Sequence, residues 1–178
     1  NPNFCPGAKN YVGVWAAPFA EMGMPEQFTG TQLGFGAGAL FRDHIYVGGY
    51  ASGLISQNFE TTLDAPPADG QPLDYGLRMS SFGGWFTFSP LGADRVRLLM
   101  GTRLGFSRVH WRNIDEDVDY KSGSFVATPT VSIEFPLSYY ARFALGVGYR
   151  IAGEMALPEG FPGLSSPFIQ ANVRLGQF

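Results

Sequence analysis

Residues 165–178 read SSPFIQANVRLGQF. From Ile169 onward, Ile169, Ala171, Val173 and Leu175 fall on one parity, and Gln170, Asn172, Arg174 and Gly176 on the other. Successive side chains of a β-strand point to opposite faces, so this stretch is a strand with one apolar and one polar face. A chain can stop on such a strand if that strand pairs with the first one and leaves no open edge. The expectation to carry outward is therefore a sheet closed on itself.

The composition narrows the setting. The chain has 178 residues, which suits one domain spanning 1–178, with a short segment 1–9 ahead of the first strand. Only 15% of the residues are charged, below the ~25% of an average soluble domain, while 45% are hydrophobic. Part of the surface is thus expected to face something other than water. No stretch approaches the ~18 consecutive apolar residues of a transmembrane helix, because Gly, Arg and Ser interrupt each one. The single cysteine, Cys5, cannot form an intramolecular disulfide, and no lipobox-like stretch precedes it. The opening NPNFCPGAKN lacks a charged region followed by an apolar core, so a mature N-terminus is expected at residue 1.

The 24 Gly and 13 Pro divide the sequence into short alternating runs, which favours an all-β protein. Eight strands are predicted, over residues 10–19, 31–41, 45–57, 73–88, 95–111, 124–135, 139–152 and 167–178. The fifth sets Val96, Leu98, Met100, Leu104 and Phe106 against Arg97, Gly101, Arg103, Gly105 and Ser107. The sixth and seventh alternate equally well, with Phe125, Val131 and Ile133, then Phe143, Leu145 and Val147, on their apolar faces. In the first strand Trp15 and Phe19 compete with Val12 and Val14 for the apolar face, and the fourth is expected to change phase near Ser80 to Gly84 through a bulge. Short turns alternate with longer connections, as in an antiparallel up-and-down meander with both termini at the short-turn end.

The two faces decide the solvent. A soluble eight-stranded barrel turns its apolar side inward, and a membrane barrel inverts this. Here the polar face is rich in Gly, Ser, Thr and Arg, with Gly34, Gly36, Gly38, Gly146 and Gly148 suited to a crowded interior. The opposite face carries Leu, Val, Ile and Phe, with Trp111, Phe135, Tyr139, Tyr149 and Phe168 expected as interfacial aromatics. The predicted fold is an eight-stranded antiparallel up-and-down transmembrane β-barrel.

In this architecture the chain resembles the small eight-stranded bacterial outer-membrane barrels, the group containing the OmpA transmembrane domain, OmpX and OmpW. The resemblance implies a bacterial outer-membrane location, periplasmic termini and extracellular long loops. It further implies that Val173, Leu175 and the terminal Phe178 form a signal read by the barrel assembly machinery, although Phe178 stands on the parity opposite to the other two. Outer-membrane lipids and lipopolysaccharide are the expected surroundings, with a larger outer-membrane protein complex as a further partner.

Ten of the twelve basic residues are Arg, and Arg78, Arg97, Arg103, Arg142, Arg150 and Arg174 are assigned to the inward parity. Most acidic residues, from Glu21 and Glu26 to Glu154 and Glu159, are assigned to the long loops. Glu134 and Arg142 share the inward parity across the turn at 136–138, so a cross-strand ion pair is predicted within an arginine-rich lumen network. A small anion site or a narrow channel is the alternative for that lumen, but eight strands leave it only just wide enough for its side chains. Asp115, Asp117 and Asp119 alternate as calcium ligands do, yet the Gly and Glu of an EF-hand loop are missing, leaving only an improvised Ca²⁺ or Mg²⁺ site. No other cofactor is expected. The net charge of −3 gives no reason to expect nucleic acid.

Catalytic groups are few. His44 and His110 are the available imidazoles, and His110 near the end of a strand is the one base an outer-membrane lipid A-modifying enzyme of this size could use. The His-x-Ser pattern of the lipid A deacylases is absent, since Trp111 and Arg112 follow. The sequence is read as a non-enzymatic barrel with a structural, accessory-subunit or surface-interaction role, the enzyme and the narrow channel being the alternatives.

Overall fold

The computed structural model describes residues 12–23, 30–42, 44–55, 57–61, 73–91, 96–113, 118–154 and 164–176. They form β1 (Val12–Gly23), β2 (Gly30–Phe41), β3 (Ile45–Leu54), β4 (Gln57–Thr61), β5 (Leu73–Leu91), β6 (Arg97–Asn113), β7 (Val118–Pro136), β8 (Ala141–Ala152) and β9 (Ser166–Gly176). Each strand pairs antiparallel with its neighbour, and β3 pairs with β5. Between Gly53↔Ser80 of β3 and Gln57↔Leu77 of β4 the register advances by one residue. The two segments are therefore one stave with an extra residue, and the barrel has eight staves.

Closure occurs where the alternation of the last strand requires it. β9 pairs with β1 from Trp15↔Gly176 to Gly23↔Phe168, leaving no edge between them. Pro18 and Pro129 sit well inside strands, away from their ends, where a missing N–H costs a ladder bond. Accordingly the β1–β9 ladder omits Ala17 and Pro18, and the β7–β8 ladder omits Thr128 and Pro129.

The faces sort cleanly. Val14, Phe35, Phe82, Phe125, Val147 and Ile169 are exposed on the outer wall, whereas Ser107, Thr128, Ser132 and Asn172 are buried inside. In the first strand the competition resolves in favour of Val12 and Val14 outside, with Trp15, Ala17 and Phe19 inside. Bulky rings can point inward because β2 carries glycines on its inner face. A Cβ at Gly34 would lie 2.2 Å from the Phe19 ring, and one at Gly36 would lie 2.4 Å from the Trp85 ring.

The structure differs from the sequence expectation in several places. The fourth predicted strand, β5, keeps one phase through Met79, Ser81, Trp85, Thr87 and Ser89, and its irregularity falls between Phe88 and Leu91. That unbroken phase turns Arg78 outward, where its side chain is exposed instead of joining the lumen network. Phe168 belongs to the lumen and not to the outer aromatics. It packs opposite Gly148, where a Cβ would come within 2.5 Å of its ring. β6 and β7 also run on past the expected ends, from Arg97↔Glu134 to Asn113↔Val118, so Asp119 lies in a strand rather than in a loop.

Candidate functional site

The lumen is built in three layers. At the short-turn end, Glu134 of β7 is buried and is shared by two arginines. Arg174 Nη1 donates to its Oε2 at 3.0 Å, and Arg142 Nη1 donates to its Oε1 at 3.3 Å. The Tyr46 hydroxyl donates to Oε1 as well, at 3.3 Å, and the Arg174 guanidinium carbon stands 4.3 Å from the centroid of the Tyr46 ring. Arg97 is buried directly across the β6–β7 ladder from Glu134. Register explains the gathering: Arg142 faces Arg174 across β8–β9, and Glu134 lies on the next strand.

The middle layer is aromatic. Trp15 meets Trp85 edge to face with ring centroids 5.2 Å apart, and Phe19 meets Trp85 in the same way at 5.4 Å. Trp15 also contacts Tyr46 at 6.1 Å and donates its indole N–H to the Ala39 carbonyl at 3.1 Å. Leu40, Leu99 and Ala144 complete this layer. Edge-to-face rings fill a narrow cylinder well and keep the indole N–H partnered.

The third layer lies toward the longer connections. Glu21 is almost fully buried and binds both Arg103 and Arg150, the latter at 3.1 Å. Arg150 also donates to the Gln32 side-chain carbonyl, and Gln32 Nε2 donates to Ser52 Oγ at 2.8 Å. The Arg103 guanidinium is ringed by Phe19 at 4.7 Å, Tyr50 at 5.4 Å, Trp85 at 5.5 Å and Phe168 at 5.8 Å. Stacking against ring faces lets a buried guanidinium keep favourable contacts where its hydrogen bonds run out.

Of the arginines assigned from sequence, Arg97, Arg103, Arg142, Arg150 and Arg174 line the lumen, and Arg78 does not. The Glu134–Arg142 contact is present, but Arg174 binds the same carboxylate more closely. Sequence reasoning missed Glu21, which was assigned to a loop. β1 continues to Gly23, and the parity of Trp15, Ala17 and Phe19 carries Glu21 inside. That parity was the signal available. Leu175 is exposed on the outer wall and Val173 is partly covered there, while Phe178 lies outside the described residues. Asp115 and Asp117 also lie outside them, and Asp119 is paired through its backbone with Arg112. His110 shares the outward parity of Phe106 and Arg108.

Chemically, the lumen is a set of buried charges held by carboxylates and aromatic rings.

No protein-family model matches the chain. No curated protein matches it either. Solved structures do. Neisserial surface protein A matches with a TM-score of 0.62 at 15% identity, over 92% of this chain and 96% of that one. The N-terminal β-barrel domain of OprF from Pseudomonas aeruginosa gives 0.55 at 11% identity, over 94% and 98%. Ail, the attachment invasion locus protein of Yersinia pestis, gives 0.53 at 9% identity, over 93% and 97%. The chain has the fold of the small eight-stranded outer-membrane barrels.

Proposed function

We propose that this chain is a non-enzymatic, non-conducting barrel of a bacterial outer membrane, serving as a structural or accessory subunit that docks on another outer-membrane or surface component. Its termini lie in the periplasm and its longer connections outside the cell. One observation carries the reading: the layers around Glu134, Trp15–Trp85 and Glu21 occupy the lumen in succession, which leaves the outer wall and the loops as the working surfaces. The exposed wall residues Val131, Ile133, Leu145 and Val147 support the lipid setting, because a row of such side chains is stable only when water is excluded from it.

Two measurements test the proposal. The refolded barrel in planar lipid bilayers is expected to show no unitary conductance steps; regular steps would make it a channel. Native electrophoresis of gently solubilised outer membranes, with mass spectrometry of comigrating chains, is expected to place it in one larger complex. Migration as a free monomer would sink the accessory role.

A further inference from the structure

We infer that the outer face of β5, β6 and β7, near the longer connections, binds the phosphorylated headgroup of an anionic membrane lipid. The inference rests on the reading of this chain as a membrane-spanning barrel.

The three strands bring distant residues into rows. Arg78 pairs with His110, and His110 with Lys121. The next row toward the middle of the wall is Ser80, Arg108 and Gly123, and the one after it is Phe82, Phe106 and Phe125. Arg78, Arg108 and Lys121 are exposed on this face, and none of the three rows contains an acidic residue. With neighbouring strands ~4.8 Å apart and alternate residues ~7 Å apart along a strand, these cations span on the order of 10 Å. That span suits one phosphate group, or two carried on one headgroup.

The surface immediately below is apolar and continuous with the cations. Phe82, Phe106 and Phe125 are 50%, 39% and 59% exposed, and Phe82 and Phe106 have ring centroids 6.4 Å apart. Gly123, paired with Arg108, is covered by the Phe106 ring. A Cβ there would come within 2.6 Å of the Phe106 ring, so this ring reaches up to the basic rows. A phosphate bound among Arg78, Arg108 and Lys121 would place the acyl chains of the same molecule along the three phenylalanines.

Electrostatics favours an occupant. Three cations side by side repel one another, and the next row outward adds Arg112 and Asp119, whose formal charges cancel, so the face keeps its net positive charge. An arginine binds phosphate through paired N–H donors, and such charge-assisted bonds strengthen where water is depleted, as it is in a headgroup layer. A soluble anion would use the cations and ignore the aromatic row. The lipid uses both.

Native mass spectrometry of the barrel, refolded in a zwitterionic detergent, tests this with diphosphorylated lipid A and with the same lipid dephosphorylated. The wild type is expected to retain the diphosphorylated form at concentrations about tenfold lower than either the dephosphorylated form or an Arg78→Gln/Arg108→Gln/Lys121→Gln variant requires. Equal retention of the two lipids, or by the two proteins, would overturn the site. So would equal displacement of lipid A by inorganic phosphate at matched concentration, which would show an anion site indifferent to the acyl chains. Heat-modifiable migration reports folding of each variant, and if the triple variant does not fold, the single substitutions supply the comparison. Failure of the wild type to insert into phosphatidylcholine vesicles would instead remove the membrane-barrel reading, so the two failures remain distinct.

Discussion

The Glu134 carboxylate holds the Arg174 guanidinium at 3.0 Å across the barrel lumen, between residues 40 positions apart in sequence. The same carboxylate also accepts from Arg142 and Tyr46. One acid thus organises an end of the lumen, and removing it leaves several cations without their common partner. Glu134→Gln is expected to destabilise the folded barrel by about 3–5 kcal/mol, the usual loss when one member of a buried pair is removed. Arg142→Gln, whose side chain is 11% exposed, should cost less, because water reaches its position and Arg174 remains on the acid. Reversible urea unfolding in lipid vesicles compares the two, and equal losses would contradict the central role given to Glu134.

Trp85 joins the layers, with its ring 5.2 Å from Trp15, 5.4 Å from Phe19 and 5.5 Å from the Arg103 guanidinium carbon. Trp85→Ala should cost about 3–5 kcal/mol, as large aromatic truncations do when neighbours cannot collapse into the space. The charged layers on either side stay in place, so the variant is expected to remain non-conducting. Vesicle unfolding and a planar-bilayer recording check the two halves of this expectation separately.

Two glycines on adjacent strands separate interior crowding from outer-wall tolerance. At Gly36 a Cβ would lie 2.4 Å from the Trp85 ring, whereas at Gly49 its nearest neighbour would be the Gly83 carbonyl at 3.6 Å. Gly36→Ala should therefore destabilise by roughly 1–3 kcal/mol through overpacking. Gly49→Ala should change stability by no more than about 0.5–1 kcal/mol, and in the favourable direction if chain entropy dominates. Matched unfolding curves would read the difference, which vanishes if Trp85 can move freely.

Val131 and Val147 face each other across the β7–β8 ladder and are 44% and 59% exposed on the outer wall. If that wall lies in hydrocarbon, Val147→Lys should cost about 2–4 kcal/mol in vesicles, the range for a cation near the bilayer midplane. Little or no cost would place this face in water or against a polar partner.

The final strand shows how far one-dimensional pattern reaches. Its alternation announced both faces, and the structure sets Ile169 and Leu175 on the wall and Gln170, Asn172 and Arg174 inside. The strands now numbered β6 to β8 were legible for the same reason, since their parity is unbroken over many residues. Arg78 and Glu21 were not, and each failed where a boundary or a phase had to be assumed. A one-residue shift in phase sends a side chain to the opposite face. The bulge assumed near Ser80 put Arg78 inside, and a first strand ended too early put Glu21 in a loop.

Sequence alone determined that this protein is a closed antiparallel barrel with a small-residue, arginine-bearing interior and an apolar wall, because period-two alternation depends only on local backbone geometry. Which charges meet was decided by tertiary structure. Glu21 binds Arg150 from 129 residues away, and Arg78, Arg108 and Lys121 gather on one outer face, because register between strands fixes these neighbours. No pattern within a single strand carries that register; closure of the barrel supplies it.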